Sequence, residues 1–381
     1  MSSLYLIADD LTGALDSAVS FCGILGPIPV FLGTPHPSEN SHVAVDLATR
    51  DADIAFAVKA SSSVARSLAA TDIAFKKIDS LLRGHWAIEL AELFKRGAFS
   101  TCVFAPAFPS QGRVTEKGRQ IVRADDGSSF MVGVDPVKAL SDLGLRVISI
   151  SSTDSADNLT LVSGDIDVVV FDAATDEDLR VVVRWGLEQK KPVLWCGAAG
   201  LARAVAQHEP PLITAIPKPV LIIIGTNNPV SKAQIILLAA RGSTRHVVVG
   251  SNAVEAAVQI TDAFQRTGEC LLTFEFSSDT CANEAAVAID QMLGLLLPSI
   301  PRPSALVVAG GETLLSVCRA VGATHLEVDA EFSPGIPHSR LRSGCWDGVD
   351  VVSKSGAFGN PQLLTTLVGA DPLLTHVPGL G

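Results

Sequence analysis

Aromatic side chains are scarce in this sequence: they make up 5% of its 381 residues, and Tyr5 is the single tyrosine. Hydrophobic residues nevertheless account for 48% of the chain, so its core must consist mainly of valine, isoleucine, leucine and alanine. Such a core is typical of parallel β-sheets covered by helices. The composition excludes a disordered chain, a collagen and a coiled coil, and the length suffices for two domains of ordinary size.

Positive charge is also in short supply. The chain has 29 lysines and arginines against 40 acids, which gives a net charge of −11. A general nucleic-acid-binding protein needs a basic surface, so no nucleic-acid partner is predicted. An anionic small molecule is still compatible with this charge, because a few local cations are enough to bind one.

Long hydrophobic runs, an export signal and paired cysteines are missing as well. The first residues show no basic segment followed by an apolar one, and runs such as 220–224 have the length of a strand. The seven cysteines are scattered and form no C-x-x-C pair, which argues against a zinc ribbon or a redox motif. We therefore expect buried thiols, a cytoplasmic location, no membrane partner and no metal held by a cluster of side chains.

Short β-rich runs alternate with helical segments along the whole chain, which is the pattern of α/β folds. Predicted strands occupy 4–8, 43–45, 73–77, 102–105, 147–150, 168–171, 193–195, 220–224, 246–249, 270–274, 305–309 and 349–353. Predicted helices occupy 11–22, 62–70, 86–94, 175–186, a segment from about 199, 230–241, 253–266, 283–296 and 313–321.

Prolines at 210, 211, 217 and 219 exclude a helix between the two halves of this pattern and indicate an interdomain linker. The sequence therefore predicts an α/β fold with two domains, residues 1–209 and 210–381. Each is expected to be a mostly parallel sheet flanked by helices.

Two acids follow the first predicted strand. In open α/β sheets, ligands bind beyond the carboxyl ends of the strands, where Asp9 and Asp10 lie. Adjacent residues of a strand point to opposite faces. One acid is therefore expected to bind a ligand hydroxyl or act as a base, while the other caps the following helix. The alternative is that both are helix caps.

Four charged residues crowd the connection after the strand 73–77: Lys76, Lys77, Asp79 and Arg83. Arg83 can bind a carboxylate through two parallel hydrogen bonds, and a lysine supplies a compact charge. Asp79 can accept a proton from a substrate hydroxyl. The alternative is a solvated turn with an ordinary ion pair, but the apolar strand before it places the group at a sheet edge.

Three glycine-containing turns follow strands of the second half, at 225–229, 310–313 and 354–359. Glycine lets the backbone approach a ligand, and the N–H groups that open a helix attract phosphate. Three such turns in one domain predict a nucleotide pocket, with tight turns alone as the alternative. Neither G-x-x-x-x-G-K-[ST] nor G-x-G-x-x-G occurs, so a standard P-loop and a dinucleotide-binding domain are not predicted.

Five segments occur in order: ADDLTGA (8–14), KKIDSLLRG (76–84), PAFPSQGR (106–113), GGET (310–313) and KSGAFG (354–359). This set resembles the four-carbon acid sugar kinase family over nearly the whole chain. The family includes 3-oxo-tetronate, threonate, erythronate and 4-hydroxythreonine kinases.

The resemblance implies an N-terminal domain that binds the acid sugar, a C-terminal domain that binds ATP, and phosphorylation of a terminal hydroxyl, with Mg²⁺ accompanying the phosphates. The residues that it places around the acid sugar are Asp9, Asp10, Arg50, Lys77, Asp79 and Arg83. Those that it places around ATP are Thr226, Asn228, Gly310, Gly311, Glu312, Thr313 and Gly356. Either Asp10 or Asp79 is expected to be the base or to orient the hydroxyl, with Arg83 and Lys77 holding the carboxylate.

The chain departs from the family pattern in several places, and two of them lie at residues named above. The segment D-T-D-S-R reads 46-DLATR-50, so Ala48 replaces its second acid, and the turn G-S-x-S-P reads 225-GTNNP-229. These changes leave the identity of the four-carbon acid open. A second hypothesis is a relative that binds sugar acid or nucleotide without catalysis, and a third is another α/β transferase that uses a phosphorylated ligand. The apolar composition permits a homodimer but does not require one.

Overall fold

The structure, a computed structural model, describes residues 3–33, 42–96, 99–124, 127–151, 166–189, 193–250, 252–277 and 279–369. The chain divides into two compact units, Met1–Glu209 and Pro210–Gly381. Each has the predicted class of a mostly parallel sheet flanked by helices. In the described part of the chain, no helix combines the length and the apolar character that a membrane span needs.

The strands of the first unit, in chain order, are β1 (Leu4–Ala8), β2 (Ile28–Leu32), β3 (His42–Asp46), β4 (Ile73–Lys77), β5 (Thr101–Ala105), β6 (Arg113–Glu116), β7 (Arg119–Arg123), β8 (Ser129–Met131), β9 (Val147–Ile150), β10 (Val168–Phe171) and β11 (Val193–Gly197). Eight of them lie side by side in the order β2-β3-β1-β4-β11-β5-β10-β9. Every neighbouring pair in this series is parallel, so all the carboxyl ends lie along one edge.

The helices of the first unit are Leu11–Ala18, Cys22–Leu25, Ile54–Ala69, Trp86–Arg96, Pro136–Ser141, Asp176–Leu187 and Ala199–Ala206. Their ends follow from local capping. The Thr175 side chain accepts a hydrogen bond from the Asp178 backbone N–H, and Asp178 returns one, which is the capping box. Asp53 caps the third helix, which therefore begins at Ile54 instead of the predicted residue 62.

A small antiparallel sheet of β6, β7 and β8 was not predicted. Gln120 of β7 is fully buried and ties this sheet to the loops beside the large one. Its side-chain NH2 donates to the carbonyls of Ser80 (2.9 Å) and Pro106 (3.2 Å), while its oxygen accepts from the Thr115 hydroxyl at 2.8 Å. The small sheet thus fixes the segment that follows β4.

The strands of the second unit are β12 (Val220–Ile224), β13 (Arg245–Val249), β14 (Glu269–Phe274), β15 (Ala305–Ala309), β16 (His325–Ser333), β17 (Ile336–Arg342) and β18 (Asp350–Lys354). Their order is β13-β14-β12-β15-β18-β17-β16, parallel as far as β18 and antiparallel beyond it. The helices are Pro229–Ala240, Ala253–Arg266, Ala282–Leu296, Gly311–Val321 and Leu363–Gly369. Strands β16 and β17 and the last helix were not predicted.

A buried ionic network joins the antiparallel strands. Nδ1 of His338 lies 2.6 Å from Asp329 Oδ1, and its Nε2 lies 3.5 Å from Asp350 Oδ1. Burial alone would lower the pKa of His338, but the contacts with the two carboxylates outweigh burial and raise it. Below this raised pKa, the protonated imidazole stabilises this part of the fold.

Candidate functional site

An acid–arginine cluster (Asp9, Asp10, Arg50, Asp79 and Arg83) lies at the carboxyl ends of three neighbouring strands. Asp9 and Asp10 follow β1, Arg50 follows β3, and the other two follow β4. Because β3, β1 and β4 are parallel neighbours, their ends bring the five residues together. Lys77, the last residue of β4, lies beside them.

Arg50 is the centre of this cluster. Its Nε and Nη2 donate to the two oxygens of Asp9, each at 2.9 Å. Its Nη1 and Nη2 donate to the two oxygens of Asp10 at 2.6 and 2.8 Å. Nη2 also lies 3.8 Å from Asp79 Oδ1. Three carboxylates therefore share one guanidinium, and they raise its pKa although burial opposes that shift.

The expectation that one of the two acids caps the following helix is confirmed for Asp10, but the expectation that Asp9 and Asp10 point to opposite faces was wrong. Both contact Arg50, and Asp10 also caps the helix Leu11–Ala18 by accepting from the Gly13 N–H at 2.9 Å. The strand ends at Ala8, so the alternation of side chains does not continue through the two acids. One guanidinium has donors enough to reach both.

Asp79 is held in place by Arg83. The Nε and Nη2 of Arg83 each donate to Asp79 at 2.8 Å, and two backbone N–H groups donate to its Oδ2. The Arg83 side chain is 60% exposed, whereas Asp79 is 9% exposed. Arg83 therefore retains access to solvent while it orients a nearly buried acid.

The side chains of the two neighbouring lysines lie on opposite faces of the sheet. Lys76 is fully buried and donates to Glu89 at 2.6 Å in the core. Lys77 points to the cluster, because alternate residues of β4 face opposite sides of the sheet. A Cβ added to Gly13 would lie 2.7 Å from Lys77 Nζ and 2.5 Å from Asp10 Oδ1. A side chain at position 13 would therefore require Lys77 or Asp10 to move, a constraint that only the tertiary structure shows.

The three acids of the cluster differ in their affinity for protons. Burial raises the pKa of Asp9 in spite of Arg50. Burial would also raise the pKa of Asp10, but Arg50 and Lys77 lower it. For Asp79, the hydrogen bonds from Arg83 and the charge of Arg50 overcome burial and hold its pKa well below the usual range. Asp10 and Asp79 are therefore ionised at neutral pH.

A glycine cradle, defined by the turns 225–228, 310–313 and 354–356, lies in the second unit. It sits at the carboxyl ends of the parallel neighbours β12, β15 and β18. A Cβ on Gly225 would lie 2.1 Å from Thr313 Oγ1, and one on Gly356 would lie 2.6 Å from Thr226 Oγ1. A side chain at either position would therefore displace a threonine of a neighbouring turn.

The other residues predicted around ATP lie in the same three turns. Asn228 caps the helix Pro229–Ala240 by accepting from the Val230 N–H. Gly310 has a φ of +107° and precedes the helix Gly311–Val321, whose first turn contains Glu312. The first N–H groups of a helix have no partner within it. The cradle therefore presents two helix N-termini to one region.

Lys354 begins the third of these turns and is not among the residues predicted around ATP. It is the last residue of β18, and it is 1% exposed. Its Nζ donates to Ser231 Oγ at 3.0 Å and to the Gly356 carbonyl at 3.4 Å. Burial lowers the pKa of Lys354 to about 7.

Among the described residues, no group of three or more His, Cys, Asp or Glu side chains could hold a metal ion. Mg²⁺ usually binds through one or two carboxylates, substrate phosphates and water. Such an ion would be carried with the phosphates at the cradle, and Mg²⁺ stays a prediction for this chain.

Two family models match the chain. Residues 4–205 match the one described as "Sugar-binding N-terminal domain", and residues 221–364 match the "Nucleotide-binding C-terminal domain". Two solved structures have similar folds over almost their full length. One from Salmonella typhimurium LT2 has a TM-score of 0.74 at 19% identity, with 96% of this chain and 98% of that chain covered. One from Haemophilus influenzae has a TM-score of 0.64 at 17% identity, with 95% and 98% covered.

Relatives named as kinases extend over the same length. A D-threonate kinase of Cupriavidus necator is 29% identical over 95% of this chain and 96% of its own. A D-erythronate kinase of Heliobacterium modesticaldum is 25% identical over 99% and 98%. A 3-oxo-tetronate kinase of Methylobacterium radiotolerans is 25% identical over 94% and 96%. With both domain models matched in order, the chain belongs to the four-carbon acid sugar kinase family.

Proposed function

We propose that this protein transfers the γ-phosphoryl group of ATP to the terminal hydroxyl of a four-carbon sugar acid. The observation that carries the proposal is the acid–arginine cluster with Lys77 beside it. A short hydroxy-acid needs cations for its carboxylate and carboxylates for its hydroxyls, and both kinds of group lie at one sheet edge. The names of the relatives support the same reaction.

Within the cluster, Arg83 and Lys77 are the cations that bind the substrate carboxylate. The exposed guanidinium of Arg83 can form two parallel hydrogen bonds with it. Arg50 has a different role, because its donors are already used by Asp9 and Asp10. It holds these acids in place and balances their charge.

Asp10 is the acid that orients the reacting hydroxyl. Its side chain is 17% exposed, whereas that of Asp9 is 1% exposed. The hydroxyl oxygen attacks the γ-phosphorus, the bond from phosphorus to the bridging oxygen breaks, and ADP leaves. The hydroxyl proton passes to a carboxylate, Asp10 or the neighbouring Asp79. An ionised acid of low pKa suits this reaction, because phosphoryl transfer depends more on positioning than on a strong base.

The glycine cradle binds the phosphate chain. The Thr313 and Thr226 side chains pack against Gly225 and Gly356, which holds the three turns together. The N-termini of the helices Pro229–Ala240 and Gly311–Val321 favour an anion there. Thr226, Asn228 and Thr313 fix the turns.

The test is a coupled assay of ADP release with purified protein, Mg²⁺, ATP and a panel of acids. The panel contains D- and L-threonate, D- and L-erythronate, their 3-oxo forms and 4-hydroxythreonine, with D-threonate first because of the 29% identical relative. We expect turnover with at least one acid. ATP binding without turnover across the panel would contradict the proposal and favour a non-catalytic binding protein.

The matched variant is Asp10→Asn. Asparagine caps a helix about as well as aspartate, so the helix that begins at Leu11 keeps its N-cap while the carboxylate is lost. We expect kcat to fall about 10²- to 10⁴-fold. Because Asp10 also accepts from Arg50 at 2.6 and 2.8 Å, the unfolding free energy should fall as well, by up to about 3–5 kcal/mol, and urea unfolding checks that the variant is folded in the assay. A variant that retains full turnover would show that Asp10 does not act on the hydroxyl, and Asp79→Asn would then test the alternative acid.

A further inference from the structure

Lys354 is buried without an acidic partner among the residues that the structure describes. A lysine that is 1% exposed is normally paired with a carboxylate, as Lys76 is with Glu89. The contacts of Lys354 Nζ are instead the hydroxyl of Ser231 and the carbonyl of Gly356. Both are neutral, so the fold does not balance this positive charge locally.

The surroundings of Lys354 suggest which kind of group balances its positive charge. Ser231 lies in the first turn of the helix Pro229–Ala240, and its hydroxyl donates to the Gly356 carbonyl at 2.8 Å. The backbone carbonyl of Lys354 accepts from the Gly310 N–H at 3.0 Å. Lys354 therefore contacts the helix that follows the turn 225–228, the turn after β15 and the turn after β18.

We propose that Lys354 is a positioning residue of the nucleotide site, which holds the Ser231 hydroxyl and the Gly356 turn in place and supplies, beneath the cradle, the positive charge that attracts the phosphate chain. This inference rests on the proposed function, because it assumes that the cradle takes a nucleotide. It adds the ligand chemistry. The affinity of a nucleotide should increase with its number of phosphates, and the affinity of adenosine, which has none, should not change when Lys354 is replaced.

Burial of an ammonium without a counter-ion is costly, because the charged form loses its hydration. Burial lowers the pKa of Lys354 to about 7, and no charged side chain contributes to that shift. A phosphate beside the ammonium would favour the charged form and raise the pKa again. Nucleotide binding at pH 8 should therefore be accompanied by proton uptake at Lys354.

The experiment is isothermal titration calorimetry of the full chain at pH 8 with ATP, ADP and adenosine, in buffers of different ionisation enthalpy. For the unmodified protein we expect uptake of more than about half a proton per ATP, since a group with a pKa of about 7 is mostly neutral at pH 8. In Lys354→Met we expect no proton uptake. We also expect at least about 30-fold weaker ATP binding, the loss of one charge-assisted contact, and unchanged adenosine binding.

The matched control is Lys232→Met. Lys232 is exposed on the same helix as Ser231, so this variant removes the same charge from the surface and should bind ATP within about threefold of the unmodified protein. Denaturant unfolding separates function from structure: since Lys354→Met removes an unbalanced buried charge, it should unfold at the same or a higher urea concentration.

Three results would overturn the inference: no proton uptake by the unmodified protein, ATP affinity of Lys354→Met within about threefold of the original, or an equal loss of ATP and adenosine binding. In each of these the unmodified protein still binds ATP, so the proposed function survives. If the unmodified protein binds no ATP at all, the proposed function and the inference fail together.

Discussion

Replacement of Arg50 by methionine tests whether the acid–arginine cluster is held by one guanidinium. Arg50 forms four hydrogen bonds of 2.6–2.9 Å with Asp9 and Asp10, and its side chain is 13% exposed. Four separate charged hydrogen bonds would contribute roughly 6–12 kcal/mol, but these four share one group and are not additive. Removal of one partner from a buried ionic cluster costs about 3–5 kcal/mol, and that is the loss of unfolding free energy that we expect at pH 7.

The matched variant is Arg83→Met, which removes the same side chain from the same cluster. Because Arg83 is 60% exposed, its loss should cost less than about 1 kcal/mol. Urea unfolding followed by tryptophan fluorescence measures both, since Trp86, Trp185 and Trp195 all lie in the first unit. Equal destabilisation by the two variants would refute the central role of Arg50.

The pH dependence of Arg50→Met gives a second check. Without Arg50, the acids Asp9 and Asp10 repel one another in a buried place, so their pKa values in the folded variant exceed the unfolded value of about 3.9. The folded variant then binds more protons than the unfolded chain, and its stability rises as the pH falls from 7 to 5. The electrostatic explanation would be contradicted if the difference in unfolding free energy between Arg50→Met and the unmodified protein did not become smaller between pH 7 and pH 5.

Three further outcomes are expected. In Gly225→Ala, the new Cβ displaces Thr313, so ATP should bind at least about tenfold more weakly. An unchanged ATP affinity, measured by fluorescence titration, would contradict the close packing of the cradle. The pKa of His338 is raised in the folded protein, so its contribution to stability is complete below about pH 6.5 and is lost as the pH rises through the folded pKa. His338→Gln should flatten the unfolding free energy between pH 6 and 8, measured by urea unfolding at each pH. Gln120→Leu leaves two loop carbonyls without donors, so KM for the acid should rise while KM for ATP does not; parallel changes in both would argue for general destabilisation.

Local signals predicted much of this fold. The parallel strands are short, apolar and followed by polar residues, so β1, β4, β9, β10, β12 and β15 were predicted with the bounds that the structure has. The helix predicted from residue 175 begins at Asp176, directly after its cap Thr175, because the capping box is formed by residues three apart in sequence. Such features depend on neighbours in the chain and can be interpreted without the tertiary structure.

The pairing of the antiparallel strands was harder to predict from the sequence. Strand β17 contains a proline, a histidine and two arginines, so its composition does not indicate a strand. The carboxylates Asp329 and Asp350 that accompany His338 lie on two other strands. Only the tertiary structure brings the charges together, and the sequence therefore gave no sign of the network.

The residues of the acid–arginine cluster could be predicted, but the contacts between them could not. The rule that ligands bind beyond parallel strands was enough to select Asp9, Asp10 and Asp79. That Arg50 reaches the first two at once depends on where β1 ends and on how the segment after β3 returns over it. The division between Lys76 and Lys77 could have been inferred from the alternation of side chains in a strand.

The hydrogen bonds of Arg50 also affect how the protein discriminates between ligands. In many sites, an analogue that lacks a hydroxyl is rejected because it leaves buried polar groups without partners. Here Asp9 and Asp10 already have a partner, so a hydroxyl that binds to Asp10 must exchange with a guanidinium donor. Affinity for the hydroxyl is then a small difference between two large interactions. Deoxy analogues should accordingly compete with the true substrate in binding much better than in turnover, and selectivity should appear in kcat rather than in KM.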